Sequence, residues 1–247
     1  MRRAQIAPQP AAEEILGRVL KGKRDRVFLV SKVNSVEPKD ILQGIDASYH
    51  NATESLPINV DFAFIRLSFG MPDGRTLPDE SAERHLERLA RARVPVLAGY
   101  HYLSTAAGAA MGEDQAAVFL ARHAAMEARF GPLGMACDSE PLRARDAAGN
   151  PIPWDPADRV RDRVMGWLAA MPRRPCVLYG SREWWARLKL PWWTALHCPF
   201  WAASPPPNGV PAPWTVATIQ QLLQPVAGVD RNVFDGSVEE LRAVLGI

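Results

Sequence analysis

The sequence predicts an α/β fold built as a single β/α barrel, and three observations carry that expectation. From residue 43 onward, strand, loop and helix recur in turn, an alternation that builds a mostly parallel sheet covered by helices. About eight candidate strands are present, at 43–46, 61–68, 95–101, 134–138, 175–179, 198–202, 216–221 and 229–231, a number that lets a sheet close on itself. At 247 residues the chain is long enough for one domain of that size with a substantial core.

Residues 1–42 precede the first barrel strand and form an N-terminal extension. Ala12, Ile15, Leu16, Val19 and Leu20 follow helical spacing, and the run 27–30 reads as a short strand. The extension is expected either to pack on the barrel or to serve as a docking arm for a carrier or secretion partner. A membrane-surface helix is the least favoured of its readings, because its one apolar face is short. Within the barrel region, 43–247, Asp79 to Arg93 carries Ala82, Leu86, Leu89 and Ala90 on one face, and 109–129 mixes Val118, Phe119, Leu120 and Met126 with charges; both read as amphipathic helices. A third helix has a start signal, with Asp155 as N-cap, Pro156 in first position and Asp158 in the first turn. The connection 201–215 is too rich in proline for a helix.

Composition narrows the class further. With 47% hydrophobic and 23% charged residues the chain reads as ordinary globular protein, and a net charge of +2 says little about partners. Residues 1–40 hold nine Lys/Arg against five Asp/Glu, too small a surplus for a nucleic-acid footprint, so no nucleic-acid partner is expected. Cys137, Cys176 and Cys198 lack the spacing of a zinc or redox motif and are expected as buried thiols. No apolar segment follows Met1-Arg-Arg in the manner of a signal peptide, and no run approaches a membrane span, so no stable membrane insertion is expected. Synthesis in the cytoplasm, with export through a lytic lesion or a dedicated secretion machine, is the expectation that follows.

The candidate chemistry sits in Gly134-Met-Ala-Cys-Asp-Ser-Glu-Pro141. Asp138 and Glu140 stand at i and i+2 at the end of a short apolar run; in a strand they share one face with Cα atoms about 7 Å apart. Two close carboxylates repel, so one is held protonated while the other ionises, a division of roles that glycosidic bond cleavage uses. Spacing alone is equally compatible with two solvated acids at a strand end. Asp46 ends the first strand in Gly44-Ile-Asp-Ala-Ser-Tyr-His50, His101 lies in the third in Ala98-Gly-Tyr-His-Tyr102, and Asp230 stands in Gly228-Val-Asp-Arg-Asn-Val-Phe234. In a β/α barrel all would open at the C-terminal ends of the strands.

These segments, taken in order with Asp61-Phe-Ala-Phe-Ile-Arg66, Leu178-Tyr-Gly-Ser181, Trp201-Ala-Ala203 and Ile219-Gln-Gln221, resemble the family 25 glycoside hydrolases, the muramidases of lysozyme type carried by phages and bacteria. The resemblance spans 43–247 and rests on the order of the motifs, since none is specific alone. It departs from the family at Cys137, where an aliphatic residue is usual, at Gln220, where Trp is usual, at Asn51, where Gln is common, and in the order Tyr49-His50. No departure removes a carboxylate.

The resemblance implies an irregular TIM-like β/α barrel and hydrolysis of the β-1,4 bond between N-acetylmuramic acid and N-acetylglucosamine in peptidoglycan. Glu140 would be the general acid/base, and Asp138 would steady the charge developing on the sugar or orient its acetamido group. Asp46 and Asp230 would hold substrate and tune the pair. Tyr49, Tyr100, Tyr102, Tyr179 and Trp201 fall at strand ends, where flat rings can stack on pyranose faces. His101 would hydrogen-bond a cleft carboxylate, Trp154 and Trp214 border long loops, and His50, His85, His123 and His197 are expected to be structural or solvated. No cofactor or metal is called for. Glycan strands are the expected partner, the protein is expected as a monomer, and its place of action would be the cell wall, as an endolysin or a secreted effector. Two rivals remain: a non-catalytic wall-binding or assembly component built on the same barrel, and a metal-dependent hydrolase using Asp46, His101, Asp138, Glu140 and Asp230. The second lacks the paired histidines that catalytic zinc sites employ.

Overall fold

A computed structural model of the protein describes residues 41–141, 148–172, 175–203, 210–226 and 228–247. The expectations for residues 1–40 lie outside these. Nine strands form: β1 (Ile41–Ala47), β2 (Phe62–Gly70), β3 (Thr76–Pro78), β4 (Val96–Tyr102), β5 (Gly134–Asp138), β6 (Cys176–Gly180), β7 (Phe200–Ala202), β8 (Ile219–Val226) and β9 (Val229–Asp235). Eight of them run in the order β1-β9-β8-β7-β6-β5-β4-β2, and β1 pairs again with β2 to close the barrel. The remaining strand, β3, was not expected; it folds back antiparallel on the end of β2, Gly70 facing Thr76. The barrel starts at Ile41, two residues before the expected boundary, because Ile41 and Leu42 pair with Asp235 and Phe234.

The last strand departs from the parallel sheet that the alternation predicts. β9 is antiparallel to both β8 and β1. Only two residues separate Val226 from Val229, too few for the crossover that a parallel neighbour needs, and Gly228 takes the left-handed turn conformation at φ 74°. The reversal brings the start of β9, not its end, to the C-terminal end of β1, and Asp230 stands in register with Asp46. No α-helix links β1 to β2, where a short 3₁₀ turn (Thr53–Ser55) is found instead.

Period-two alternation sorts the strand side chains between two cores. Phe62, Phe64, Val96, Ala98, Ala136, Val177, Trp201, Ile219 and Phe234 fill the barrel interior. Ala63, Ile65, Leu67, Leu97, Met135, Cys137 and Leu178 face outward against the helices. The helices are α1 (Ala82–Arg91), α2 (Gly112–Phe130), α3 (Ala157–Ala170), α4 (Arg182–Leu188), α5 (Thr194–His197) and α6 (Val238–Leu245). As the spacing predicted, α1 buries Ala82, Leu86 and Leu89, and α2 buries Phe119 and Met126. α3 begins one residue later than expected. Asp155 does not cap it; its carboxylate accepts a 2.6 Å hydrogen bond from Arg163, a buried pair that ties the helix to the loop before it.

Two glycines permit close packing. A Cβ on Gly44 would lie 2.2 Å from the Phe62 ring, and one on Gly112 would lie 1.8 Å from the Arg163 carbonyl where α2 crosses α3. α6, held at its start by a reciprocal capping box between Ser237 and Glu240, buries Leu241 and Leu245 against the interior core. Leu245 meets Gly134 at the start of β5, and Arg242 donates to the Pro95 carbonyl just before β4. The helix thus lies at the N-terminal end of the barrel, leaving the other end to the cleft. The three cysteines are buried thiols, and burial pushes the Cys176 thiol up to about 12.

Candidate active site

A cleft of about 270 Å³ opens at the C-terminal ends of the strands, lined among others by Asp46, Ser48, His50, Asn51, Tyr100, Asp138, Glu140, Tyr179, Gln221 and Asp230. Strand geometry accounts for the acids. Asp138 is the last residue of β5, and the chain stays extended enough that Glu140 joins it in the cleft while Ser139 turns away and is fully buried. Ser139 is fixed there by its backbone N–H, which donates to the Tyr179 carbonyl at 3.2 Å, and by its hydroxyl, which accepts from the Trp184 indole at 3.3 Å. Thr105 donates to the Glu140 carbonyl at 2.9 Å and pins the backbone beyond the strand.

Asp46 is held by two side-chain amides. Its Oδ2 accepts from Asn232 Nδ2 at 2.8 Å and from Gln221 Nε2 at 3.1 Å. Each amide is oriented from behind: Asn232 Oδ1 accepts from the Trp201 indole N–H at 2.8 Å, and Gln221 Oε1 accepts from the Tyr179 hydroxyl at 2.8 Å. Burial pushes the Asp46 carboxyl up to about 6, with help from the charges of Asp230 and Glu140, against the pull of the two amides.

Asp138 is also held well above the usual carboxylate range, first by burial, then by Glu140 and Asp46, while Arg66 draws it down. Its Oδ1 is buried with no hydrogen-bond partner among the described residues. Burial raises Asp230 as well. Tyr100 and Tyr179 are pushed up by burial and by the same acids, so both phenols stay protonated. The site therefore gathers carboxyls that their surroundings hold above the ordinary carboxylate range, the kind of setting acid/base chemistry on one bond uses.

Not every expected residue faces this cleft. His101 is fully buried between barrel and helices, stacked on Trp167 at 4.6 Å. It accepts from the Ser68 hydroxyl at Nδ1 and donates from Nε2 to Gln115 Oε1, and burial lowers it to about 3. It cannot serve a cleft carboxylate, because alternation along β4 sends Tyr100 inward and His101 outward. Nor can it supply the nitrogen ligand that a metal-dependent reading would draw from it. Trp201 is a floor residue. It is 2% exposed, its ring lies 4.4 Å from Phe64 and 4.5 Å from Tyr179, and no face is left for a sugar. Trp214 is core as well, stacked on Phe200, whereas Trp154 stays exposed beside Trp184.

Tyr102 stands in register with Asp138 and is raised by burial and by the charges of Asp138 and Glu140. Tyr49 is exposed on the rim, its ring over the Arg66 guanidinium at 4.5 Å. Arg66 itself bonds through Nε to the fully buried Asp79 at 2.9 Å rather than to any cleft acid. His50, expected to be structural or solvated, is exposed and lines the cleft.

Sequence reasoning gave Gln221 and Asn232 no role although both stand in quoted motifs. The signal was period two: Asn232 is two residues from Asp230, and Gln221 two from the interior Ile219. Asn51 was noted only as a departure. It caps the loop after β1 by accepting from Ser48 N at 2.9 Å and bridges to the β8–β9 turn by donating to the Gly228 carbonyl at 3.0 Å.

No family model and no curated protein matches the sequence. Solved structures do. A family 25 lysozyme from Aspergillus fumigatus is 21% identical, with a TM-score of 0.66 over 83% of this chain and 99% of that one. A bacterial lysozyme from Streptomyces coelicolor is also 21% identical, with a TM-score of 0.59 over 83% and 96%. A family 25 glycosyl hydrolase from Bacillus anthracis is 17% identical, with a TM-score of 0.58 over 89% and 100%. The chain has the irregular β/α barrel fold of these lysozymes.

Proposed function

We propose that the protein is a peptidoglycan hydrolase, a muramidase that cleaves the β-1,4 bond between N-acetylmuramic acid and N-acetylglucosamine. The observation that carries the reading is the gathering of Asp46, Asp138, Glu140 and Asp230 from three separate segments around one open cleft, on a barrel shared with family 25 lysozymes. In this reading Glu140 gives its proton to the glycosidic oxygen as the bond to the anomeric carbon breaks, and water adds at that carbon, passing a proton back to the Glu140 carboxylate, to leave a new reducing end. Asp138, in the ionised form that the Arg66 charge favours, steadies the charge that develops on the sugar and orients its acetamido group. Asp46 and Asp230 accept hydrogen bonds from the sugar. The rings available for stacking are Tyr100 and Tyr179 in the cleft and Tyr49 on its rim.

The place of action follows from the substrate and is the cell wall. Among the described residues no helix is long and apolar enough to cross a membrane. The deciding experiment is digestion of purified peptidoglycan with mass analysis of the fragments. New reducing ends at muramic acid support the proposal, anhydro-sugars replace it with a lytic transglycosylase, and cut peptides reject glycosidase activity altogether.

A further inference from the structure

We infer that Gln221 and Asn232 act as a paired amide clamp that positions Asp46, fixing which of its oxygens meets the substrate and keeping the carboxylate ionised at the working pH. The inference deepens the hydrolase reading and rests on it for the substrate, though the clamp itself is geometric. Both amides donate to the same oxygen, Oδ2. Oδ1 takes no hydrogen bond from a described residue, and Asp46 lines the cleft. A carboxylate held by two donors on one oxygen cannot rotate without breaking both bonds, so the free oxygen is presented in one orientation to a hydroxyl or amide N–H of the sugar.

Each amide resists flipping. Turning Asn232 would set its NH₂ against the Trp201 indole N–H, a donor facing a donor, and turning Gln221 would set its Oε1 against the Asp46 Oδ2, an acceptor facing an acceptor. The indole, a donor only, thus decides that Asn232 offers Asp46 its N–H rather than its C=O, and the Tyr179 hydroxyl steadies Gln221 from behind. Their contribution works through the amides, which is why β6, β7, β8, β9 and β1 all add a residue to one carboxylate. The clamp opposes a crowded field. Asp230 on β9, Asp138 at the end of β5 and Glu140 beyond it are acids in the same cleft, Tyr100 on β4 and Tyr179 on β6 are neutral phenols, and His50 lies on its wall. The two amides favour the ionised form of Asp46 against its burial and the acids, and the Arg66 guanidinium on β2 is the cation of the same layer.

The test is the titration of the Asp46 side-chain carboxyl by ¹³C NMR, assigned by its loss in Asp46→Asn, in the parent and in Gln221→Met, Asn232→Leu and Tyr179→Phe. The parent should titrate near 6. Each amide variant should move that midpoint upward by about one to two pH units, the usual worth of a hydrogen bond to an ionised group. Tyr179→Phe should move it less, since it only frees Gln221 to turn. In peptidoglycan turnover the acidic limb of the kcat/KM profile should move the same way, whereas a residue that merely supports the fold would lower the profile without shifting it. Gln221→Met keeps the test available should Asn232→Leu fail to fold, because the Tyr179 hydroxyl can then turn to water in the cleft. An Asp46 midpoint in Gln221→Met that stays at the parent value, or falls, overturns the clamp. If the parent cleaves no peptidoglycan yet the midpoints move as stated, the clamp stands and the hydrolase reading is the one that fails.

Discussion

Replacing Asp79 with alanine should be among the most damaging single changes in the barrel, although the residue does not line the cleft. Asp79 is fully buried. Its Oδ2 accepts from Arg66 Nε at 2.9 Å and from Tyr49 N at 3.0 Å, and its Oδ1 accepts from Ser81 N at 3.0 Å and Ser81 Oγ at 2.6 Å. Alanine leaves a nearly buried guanidinium with no anion and strands two backbone N–H groups. Breaking a buried pair from one side costs roughly 3–5 kcal/mol. A domain of this size loses about 2–4 °C of melting temperature per kcal/mol, so the fall should be roughly 6–20 °C. Asn should fare little better, because the amide group would face the Arg66 and Tyr49 donors with a donor. Thermal unfolding followed by circular dichroism reads the effect. Asp73→Ala, which removes the exposed Arg75–Asp73 pair, serves as control and should leave the melt nearly unmoved. Combining Asp79→Ala with Arg66→Met should recover part of the loss, since it removes the orphaned charge. If Asp79→Ala melts within two or three degrees of the parent, the ion pair is not what holds the β3–α1 corner and the reasoning is wrong.

Other changes separate chemistry from architecture. Glu140→Gln keeps shape but cannot donate a proton, so peptidoglycan turnover should fall by about 10² to 10⁴ with an unchanged melt, and Asp138→Asn should also be severe; near-parent rates in both would place the chemistry elsewhere. Asp46→Asn should be stabilising above neutral pH. A carboxyl raised from 3.8 to about 6 by folding costs nothing while protonated in both states, below about 3.8; the cost grows between the two values and is complete above 6, reaching about 3 kcal/mol at most. Urea unfolding should therefore show the variant ahead of the parent at pH 8 and level with it at pH 3.5, and the opposite order would refute the assignment. His101→Leu removes two buried hydrogen bonds far from the cleft, so it should lower stability by about 1–3 kcal/mol while turnover per folded molecule is kept; a selective loss of turnover would return His101 to the site. Deleting residues 1–40 should leave hydrolysis of isolated peptidoglycan intact and abolish association with a carrier, which pull-down from the producing cells would check.

How much of this was legible in the sequence depended on whether neighbours in sequence were also neighbours in function. The strands that carry Asp46 and Asp138 could be found because short apolar runs lead up to each acid, and the shared face of Asp138 and Glu140 followed from period two alone; Asp230 was taken as a strand end but stands at the start of β9. The same rule, applied one residue over, should have turned His101 outward once Tyr100 was taken inward; the triplet Tyr-His-Tyr was read as a cluster when it is an alternation. Trp201 misled for another reason. Its position at a strand end is a cleft position, but ring volume pushed it down into the barrel, where Phe64 and Tyr179 cover it. The antiparallel turn into β9 was written in the shortness of the link at 227–228, yet the repeating strand and helix pattern before it outweighed that local signal. The hydrogen-bond network around Asp46 joins residues 46, 179, 201, 221 and 232, and nothing short of the closed barrel brings them together.

That network also says why the cleft is built as it is. Sheet closure gives every strand an inward residue at the same height, and a barrel with only a core to fill would place an aliphatic side chain at each. Here the interior is aromatic and aliphatic up to the level of Phe64, Ala98, Ala136 and Val177, and one step further along the strands it becomes Asp46, Arg66, Tyr100, Asp138, Tyr179, Gln221 and Asn232. A polar layer on an apolar floor pays for itself only if its members satisfy one another, and most do. Asp138 Oδ1 and one guanidinium nitrogen of Arg66, Nη2, are the exceptions among the described side chains of that layer, each buried without a hydrogen-bond partner. Both belong to the wall formed by β2, β4 and β5, whereas Asp46, on the neighbouring β1, has one oxygen held by two amides. In the hydrolase reading proposed above, these unpaired atoms and the Asp46 Oδ1 are the ones whose partners a bound sugar would supply, so that binding energy would gather in the same cleft as Glu140, the proposed proton donor.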